Sequence, residues 1–149
     1  MKKLFVLLLL FAPLVPFAQS ATEAEIIQSY QVRKSMAQTS LLKNYPARNI
    51  GPTIQGGRII DMDVSLKNTK EFYVGYASGG IFKTINNGIT FEPIFDNNDA
   101  LGVGDFILSQ QNTNTLYVGT GEKNSSRSSY AGSGVYKTTD GGKTWAHLG

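Results

Sequence analysis

Carboxylate side chains are the residues of this chain best suited to acid–base chemistry. Asp61 and Asp105 stand at the same position in two copies of a repeated segment, and Glu122 lies in a stretch found only in the second copy. Hydrolysis of a glycosidic bond typically uses a pair of carboxyl groups that flank the bond. Because an aspartate occurs at the equivalent position of each copy, a structural role is favoured for Asp61 and Asp105. Glu122 therefore remains the single carboxylate candidate, and no catalytic residue is assigned.

Other reaction classes lack the residues that they need. The chain contains no cysteine, and its one histidine is His147, which we expect at the surface. Thiol chemistry, iron–sulfur ligation, zinc–cysteine sites and a histidine-rich metal site are therefore excluded within this chain. We predict no metal site and no cofactor.

A second group of polar residues forms a turn motif in each copy. In the second copy, residues 138–145 (TTDGGKTW) match the pattern S/T-x-D-x-G-x-T-W, the Asp-box, at every fixed position. In the first copy, residues 84–91 (TINNGITF) form a degenerate version. The aspartate or asparagine oxygen is suited to accept hydrogen bonds from N–H groups of its own turn, and the glycine permits a positive φ. We therefore predict a structural role, not a catalytic or calcium site, for Thr84, Asn86, Gly88, Thr90 and Phe91 and for Thr138, Asp140, Gly142, Thr144 and Trp145.

An insertion distinguishes the second copy from the first. Residues 121–130 (GEKNSSRSSY) join two strands of the second copy at the end opposite to the Asp-box turn. Long polar loops on a rigid scaffold often carry binding residues. Glu122, Asn124, Arg127 and Tyr130 are therefore the candidate ligand-binding residues, for a glycan or a peptide. The alternative, a surface loop without a ligand, stays open.

The internal repeat indicates the elements that position these residues. IIDMDVSLKNTKEFYVG, from Ile59, aligns without a gap with VGDFILSQQNTNTLYVG, from Val103, so that the period is 44 residues (103 − 59). This period is typical of a four-stranded propeller blade. We predict strands at 59–64, 72–76, 80–84 and 90–94, and again at 103–108, 116–119, 134–138 and 144–147. The predicted fold class is all-β: two four-stranded blades of a larger, truncated β-propeller, preceded by a signal peptide and a short helix.

These motifs carry a resemblance to a known family. From Arg48 to Trp145 the chain resembles the sortilin-like or bacterial neuraminidase repeat Asp-box β-propellers, in the stretches RNIGPTIQGGRIIDMDV, FYVGYASGGIFKTINNGITFEPIFDN and LYVGTGEKNSSRSSYAGSGVYKTTDGGKTW. The resemblance implies a large exported propeller. It does not imply one activity, because such propellers include sialidases, xyloglucan-cleaving glucanases, peptide-binding sortilins and photosystem assembly factors.

Two departures bear on the enzymatic members of that group. Xyloglucan-cleaving relatives have a catalytic aspartate just before a Gly-Gly pair, where this chain has Ala77 and Ser78. Sialidases need an arginine cluster, whereas Arg48, Arg58 and Arg127 are scattered. Both departures count against those activities in this chain.

The N-terminal residues predict export. Residues 1–19 have two lysines, an apolar run and small residues at the end, the pattern of a signal peptide cleaved near residues 18–20. The apolar run is too short for a stable membrane anchor. Residues 20–49 are predicted to be a helical lead-in that begins with a Thr22–Glu25 capping box, and residues 50–149 the first two Asp-box blades of an incomplete domain. We expect a secreted or periplasmic protein.

Charge and composition leave two hypotheses for function. Without Lys2 and Lys3 the chain has 12 basic and 11 acidic residues, a net charge of +1, so that no nucleic-acid partner is expected. The first hypothesis is a binding or scaffold module for a peptide or polysaccharide. The alternative is a glycoside hydrolase-like enzyme whose catalytic carboxylates lie mainly in downstream blades.

Overall fold

The computed structural model describes residues 21–45, 57–123 and 130–149. The predicted signal peptide (1–19), the end of the predicted lead-in (46–49), and the loop residues Asn124 and Arg127 lie outside these ranges. The described part contains helix α1 (Glu23–Thr39) and eight strands. The strands are β1 (Ile59–Val64), β2 (Phe72–Tyr76), β3 (Gly80–Thr84), β4 (Glu92–Pro93), β5 (Val103–Leu108), β6 (Leu116–Thr120), β7 (Val135–Thr138) and β8 (Ala146–His147).

The strands form two four-stranded antiparallel sheets. Strands β1 to β4 make the first sheet and β5 to β8 the second, each in the order of the sequence. Within each sheet, strands that follow one another along the chain therefore pair, as in a propeller blade. The predicted all-β class is confirmed, with two such sheets after one helix.

The internal repeat is also a repeat of strand register. Asp61 pairs with Gly75 in the first sheet, and Asp105 pairs with Gly119 in the second. In each sheet the register shifts just before this aspartate, between Ile59 and Asp61 and between Val103 and Asp105. Such a shift is a β-bulge, a feature that re-aims the residues beside it. The two sheets thus share a distortion that alignment of their sequences does not reveal.

The outermost strands are shorter than predicted. The sequence favoured strands at 90–94 and 144–147, whereas the structure has them at Glu92–Pro93 and Ala146–His147. The reason lies in the turns: the N–H groups of Thr90 and Thr144 donate to the side chains of Asn86 and Asp140. These backbone groups are therefore used by the turn and not by the sheet.

Helix α1 begins as its sequence predicts. Thr22 is its N-cap, and the reciprocal bonds of a capping box with Glu25 are present. None of its residues is buried. The helix has two polar contacts with the rest of the structure: the Tyr30 hydroxyl donates to the Asn97 carbonyl in the connection between the sheets, and Glu23 lies 3.2 Å from His147 of β8. No helix within the described ranges is long and apolar enough to cross a bilayer.

The core lies between the two sheets. Tyr73 and Ile81 of the first sheet, together with Phe95 of the connection, pack against apolar residues of the second. The full cluster is Tyr73, Ile81, Phe95, Val103, Phe106, Leu108, Leu116, Val118 and Tyr136. The two sheets approach closely at Gly75, because a Cβ on this residue would lie only 2.8 Å from the Phe106 ring of the second sheet. Burial of this area is the main force that joins the sheets.

Candidate functional site

The Asp-box turn of the second sheet is held together by its own side chains. Thr138 Oγ1 donates to Asp140 Oδ1 at 2.7 Å and accepts from the Gly142 N–H at 3.0 Å. Asp140 Oδ1 also accepts from the Thr144 N–H at 2.9 Å, and Oδ2 accepts from the Thr144 hydroxyl at 2.6 Å. Hydrogen bonds from Thr144 and then from Thr138 lower the pKa of Asp140. The carboxylate is therefore charged and engaged by its own turn at neutral pH.

The degenerate turn of the first sheet has the same geometry. Thr84 Oγ1 donates to Asn86 Oδ1 at 3.0 Å and accepts from the Gly88 N–H at 3.0 Å. Asn86 Oδ1 accepts from the Thr90 N–H at 2.9 Å, and Asn86 Nδ2 donates to the Thr90 hydroxyl at 2.8 Å. An amide can thus replace the carboxylate, with the last hydrogen bond reversed in direction. Since an uncharged side chain makes the same contacts, the turn does not depend on a carboxylate.

The aromatic residue at the end of each motif packs locally. The Trp145 indole N–H lies 2.9 Å from the Ile94 carbonyl and 3.1 Å from the Gly142 carbonyl. Its ring meets Phe95 edge-to-face at 4.9 Å. Phe91 makes the corresponding edge contact with Phe72 at 5.9 Å. Only Trp145 ties its turn to the connection between the sheets, because Phe91 has no N–H to donate.

A cleft of about 900 Å³ lies between the two turns. Phe91 and Asn97 line it on the side of the first sheet and the connection, and Asn114 and Lys143 on the side of the second. The Asn114 carbonyl accepts from the Gly141 N–H, so that this wall of the cleft is fixed by backbone contacts. The cleft is at the end of the sheets opposite to the insertion.

The two repeated aspartates lie side by side on the inner strands. Each accepts a hydrogen bond from the next N–H of its own strand, Asp61 from Met62 at 2.8 Å and Asp105 from Phe106 at 3.0 Å. Burial, and then the neighbouring carboxyl groups of Asp105 and Asp63, raise the pKa of Asp61. The pKa of Asp105 is lowered, first by Lys123, whose ammonium lies 2.7 Å away. The pKa values of the two carboxyl groups are therefore shifted in opposite directions.

The root of the inserted loop is fixed by two ion pairs. Glu122 pairs with Arg58, which directly precedes β1, and Lys123 pairs with Asp105 of β5. The Glu122 side chain is 1% exposed, and its Oε2 has no hydrogen-bond partner among the described residues. The Gly121 N–H donates to the Gly102 carbonyl at 2.9 Å. The first residue of the loop therefore contacts the connection between the sheets.

Two of the four candidate loop residues, Glu122 and Tyr130, lie within the part of the chain that the structure describes. Tyr130 is about half exposed, and its Cβ lies 3.2 Å from the position of a Cβ on Gly102. Glu122 is buried at the other end of the loop. Asn124 and Arg127 lie outside the described residues. At the start of the loop, the structure joins Glu122 to Arg58 and Lys123 to Asp105.

A network near helix α1 has no counterpart in the sequence analysis. The hydroxyls of Tyr136 and Ser133 lie 2.6 and 3.0 Å from Asp99 Oδ1, and burial followed by this contact raises the pKa of Tyr136. His147 is at the surface, as predicted, but it is not unpartnered. Its Nε2 lies near two oxygens, the Ser133 carbonyl and, at 3.2 Å, the Glu23 carboxylate. Residues so far apart in sequence leave no local signal for such contacts.

Within the described ranges, no group of three or more histidine, cysteine, aspartate or glutamate side chains is arranged to hold a metal ion.

The comparisons with known proteins give structural similarity only. No protein-family model matches the chain, and no curated protein matches it. Similar solved structures include a GH74 xyloglucanase from Xanthomonas campestris, with 16% identity and a TM-score of 0.43 over 62% of this chain. An ancestral GH74 enzyme has 16% identity and a TM-score of 0.44 over 60%, and a GH74 enzyme from Niastella koreensis has 22% and 0.43 over 59%. The chain spans 15%, 12% and 13% of the lengths of these three structures, respectively.

Proposed function

We propose that this chain is part of an exported β-propeller that binds a peptide or a polysaccharide at the end of the sheets that carries the inserted loop. In this proposal residues 1–19 direct export and are removed, residues 20–49 lead into the sheets, and residues 50–149 form the first two Asp-box blades. The Asp-box turns at the opposite end act as scaffold.

The observation that carries the proposal is the anchoring of the loop root. Glu122 and Lys123 are held by Arg58 and Asp105, two residues at the starts of the inner strands of different sheets. A loop fixed at its root loses less conformational entropy when a ligand orders it. Burial of Glu122 suits an anchoring role, which leaves ligand contact to the rest of the loop.

Tyr130 is the described residue best suited to contact a ligand. Its ring is about half exposed at the far end of the loop. A tyrosine offers an apolar face to a sugar ring or an apolar side chain and a hydroxyl for hydrogen bonding. Asn124 and Arg127 remain predicted contacts, in which the guanidinium and the amide would recognise hydroxyl or peptide carbonyl groups.

The alternative, a glycoside hydrolase-like enzyme, finds little support in the carboxylates described. Retaining and inverting enzymes keep their two carboxyl groups about 5–5.5 Å and about 6.5–9.5 Å apart, respectively, so that a sugar or water fits between them. Asp61 and Asp105 occupy equivalent register positions in the two sheets, and each accepts a hydrogen bond from the next N–H of its own strand, which suits a structural role. Hydrolysis would therefore depend on carboxylates outside the described residues.

Binding is tested by titrating the chain with a panel of soluble polysaccharides and a random peptide library. Tyr130→Ala is expected to weaken the best ligand at least about 5-fold, since an aromatic contact of this kind is worth ~1 kcal/mol or more. Lys143→Ala, in the cleft at the other end, is the matched control and should bind normally. Loss of binding in the Lys143 variant with normal binding in the Tyr130 variant would refute the proposed location. Release of reducing sugar that Glu122→Gln abolishes would favour the enzyme instead.

A further inference from the structure

The two ends of the insertion in the second sheet meet at a narrow neck. The Thr120 hydroxyl donates to the Gly134 carbonyl and accepts from the Ser133 N–H, both at 2.7 Å. The Thr120 N–H donates to the same Gly134 carbonyl at 3.0 Å. The two backbones touch beside these bonds, because a Cβ on Gly132 would lie 2.8 Å from the Gly121 nitrogen. We call Thr120, Gly121, Gly132, Ser133 and Gly134 the loop neck.

Ser133 connects the loop neck to the network around Asp99. It is fully buried, and its hydroxyl lies 3.0 Å from Asp99 Oδ1 and 2.9 Å from the Tyr136 hydroxyl. Its carbonyl contacts Nε2 of His147. The His147 ring packs on the Tyr136 ring, with 4.9 Å between the ring centres, and its Nε2 would lie 2.9 Å from a Cβ on Gly134. His147 is therefore packed against two residues of the loop neck.

Helix α1 reaches the loop neck through His147. Glu23, in the first turn of the helix, lies 3.2 Å from His147 Nε2, the same nitrogen that contacts the Ser133 carbonyl. The side chains of Glu23 and His147 are 49% and 28% exposed, so that water competes for this contact. The other contact, from the Tyr30 hydroxyl to the Asn97 carbonyl, lies in the connection between the sheets. No residue of the helix is buried, so that its release from the sheets would expose little apolar surface.

We infer that helix α1 is a detachable strap that steadies the loop neck. While the helix is docked, Glu23 holds the His147 imidazole in place, and the imidazole in turn holds the Ser133 carbonyl. When the helix leaves, the imidazole loses this carboxylate and is free to rotate, so that the loop neck opens more often. A segment with few buried contacts suits this role, because it separates from its domain at a low free-energy cost. Docking and release of the helix thereby set how firmly the insertion is held to the second sheet.

Hydrogen exchange of amides in the loop neck, followed by NMR on the full chain, tests the strap. The Ser133 and Thr120 N–H groups donate within the neck, so that their exchange rates report its opening. Glu23→Ala removes the contact with the histidine and should accelerate both rates about 2–5-fold, the range for an exposed ion pair. Glu25→Gln is the matched control, because it removes the same charge from the same turn while glutamine retains the capping box with Thr22. This variant should leave both rates unchanged.

A second variant shows whether the effect passes through the histidine. His147→Ala should accelerate exchange in the loop neck at least as much as Glu23→Ala does. In the His147→Ala background, Glu23→Ala should cause no further acceleration, because its partner is already gone. An additive effect in the double variant would overturn the strap.

An internal reference separates local opening from a general loss of stability. The Gly142 N–H donates to the Thr138 hydroxyl in the Asp-box turn, at the other end of the second sheet, and should exchange at the same rate in the Glu23 and Glu25 variants. Equal acceleration of Ser133 and Gly142 in Glu23→Ala would overturn the strap, and so would unchanged exchange in the loop neck. The measurement needs no ligand, so that its outcome is independent of whether the loop binds one.

Discussion

Gly142 is the position at which a single methyl group tests the turn geometry most directly. Its φ is +93°, and a Cβ would lie 2.7 Å from Ile94 Cβ. Backbone strain at positive φ costs an L-residue about 1–2 kcal/mol. Carbon atoms in contact prefer about 3.5–4.0 Å, so that relief of the overlap adds about 1–3 kcal/mol. Gly142→Ala should therefore lower the free energy of unfolding by about 2–5 kcal/mol.

Gly88 is the matched control in the other sheet. Its φ is +82°, but a Cβ there would meet its nearest atom, in the Phe72 ring, at 3.5 Å, an ordinary contact. Gly88→Ala should therefore show the strain alone, about 1–2 kcal/mol. The entropic effect of alanine on the unfolded chain is common to both variants and cancels in their difference. That difference, about 1–3 kcal/mol, isolates the overlap with Ile94.

Urea unfolding followed by fluorescence measures both variants. Trp145 is the single tryptophan and donates to the Ile94 and Gly142 carbonyls, so that its emission reports on the region changed. Far-ultraviolet circular dichroism provides the second probe. The steric reasoning is refuted when Gly88→Ala destabilises the chain as much as Gly142→Ala. The assignment of strain at positive φ is refuted when neither variant lowers stability by ~0.5 kcal/mol.

Three further changes test the hydrogen bonds and the inner-strand pair. Thr138→Val should lower the free energy of unfolding in urea by about 1–3 kcal/mol, because the buried Thr138 hydroxyl accepts from the Gly142 N–H. The control, Thr139→Val at the exposed neighbouring position, should leave the free energy of unfolding unchanged. Asp140→Asn should leave the turn folded with its normal Trp145 emission, as Asn86 does in the first sheet, and an unfolded variant would contradict this. The raised pKa of Asp61 means that its stabilising effect is present below the ordinary aspartate pKa and is lost as pH rises through the higher folded value. The stability of Asp61→Asn relative to the wild type should therefore increase from acid to neutral pH, and identical pH profiles of the two proteins would contradict the raised pKa of Asp61.

The sequence by itself determined the repeat and most of the strands. Tyr73-Val74-Gly75 and Tyr117-Val118-Gly119 mark equivalent strands because alternating apolar residues and tight turns are local signals that a chain carries without its tertiary contacts. The capping box of α1 was also readable, since its partners are three residues apart. The outer strands were predicted too long, because pattern alone does not reveal that Thr90 and Thr144 donate to the turn.

Only the tertiary structure decided which distant groups meet. The Arg58–Glu122 pair joins residues 64 apart, and the contact of His147 with Glu23 joins a strand to a helix near the start of the chain. Likewise, the sequence presents Tyr73 and Tyr117 as equivalent, yet Tyr73 is buried and Tyr117 is partly exposed. Burial and ion pairing depend on what the folded chain places opposite a residue. Periodicity and spacing describe only the residue and its own element.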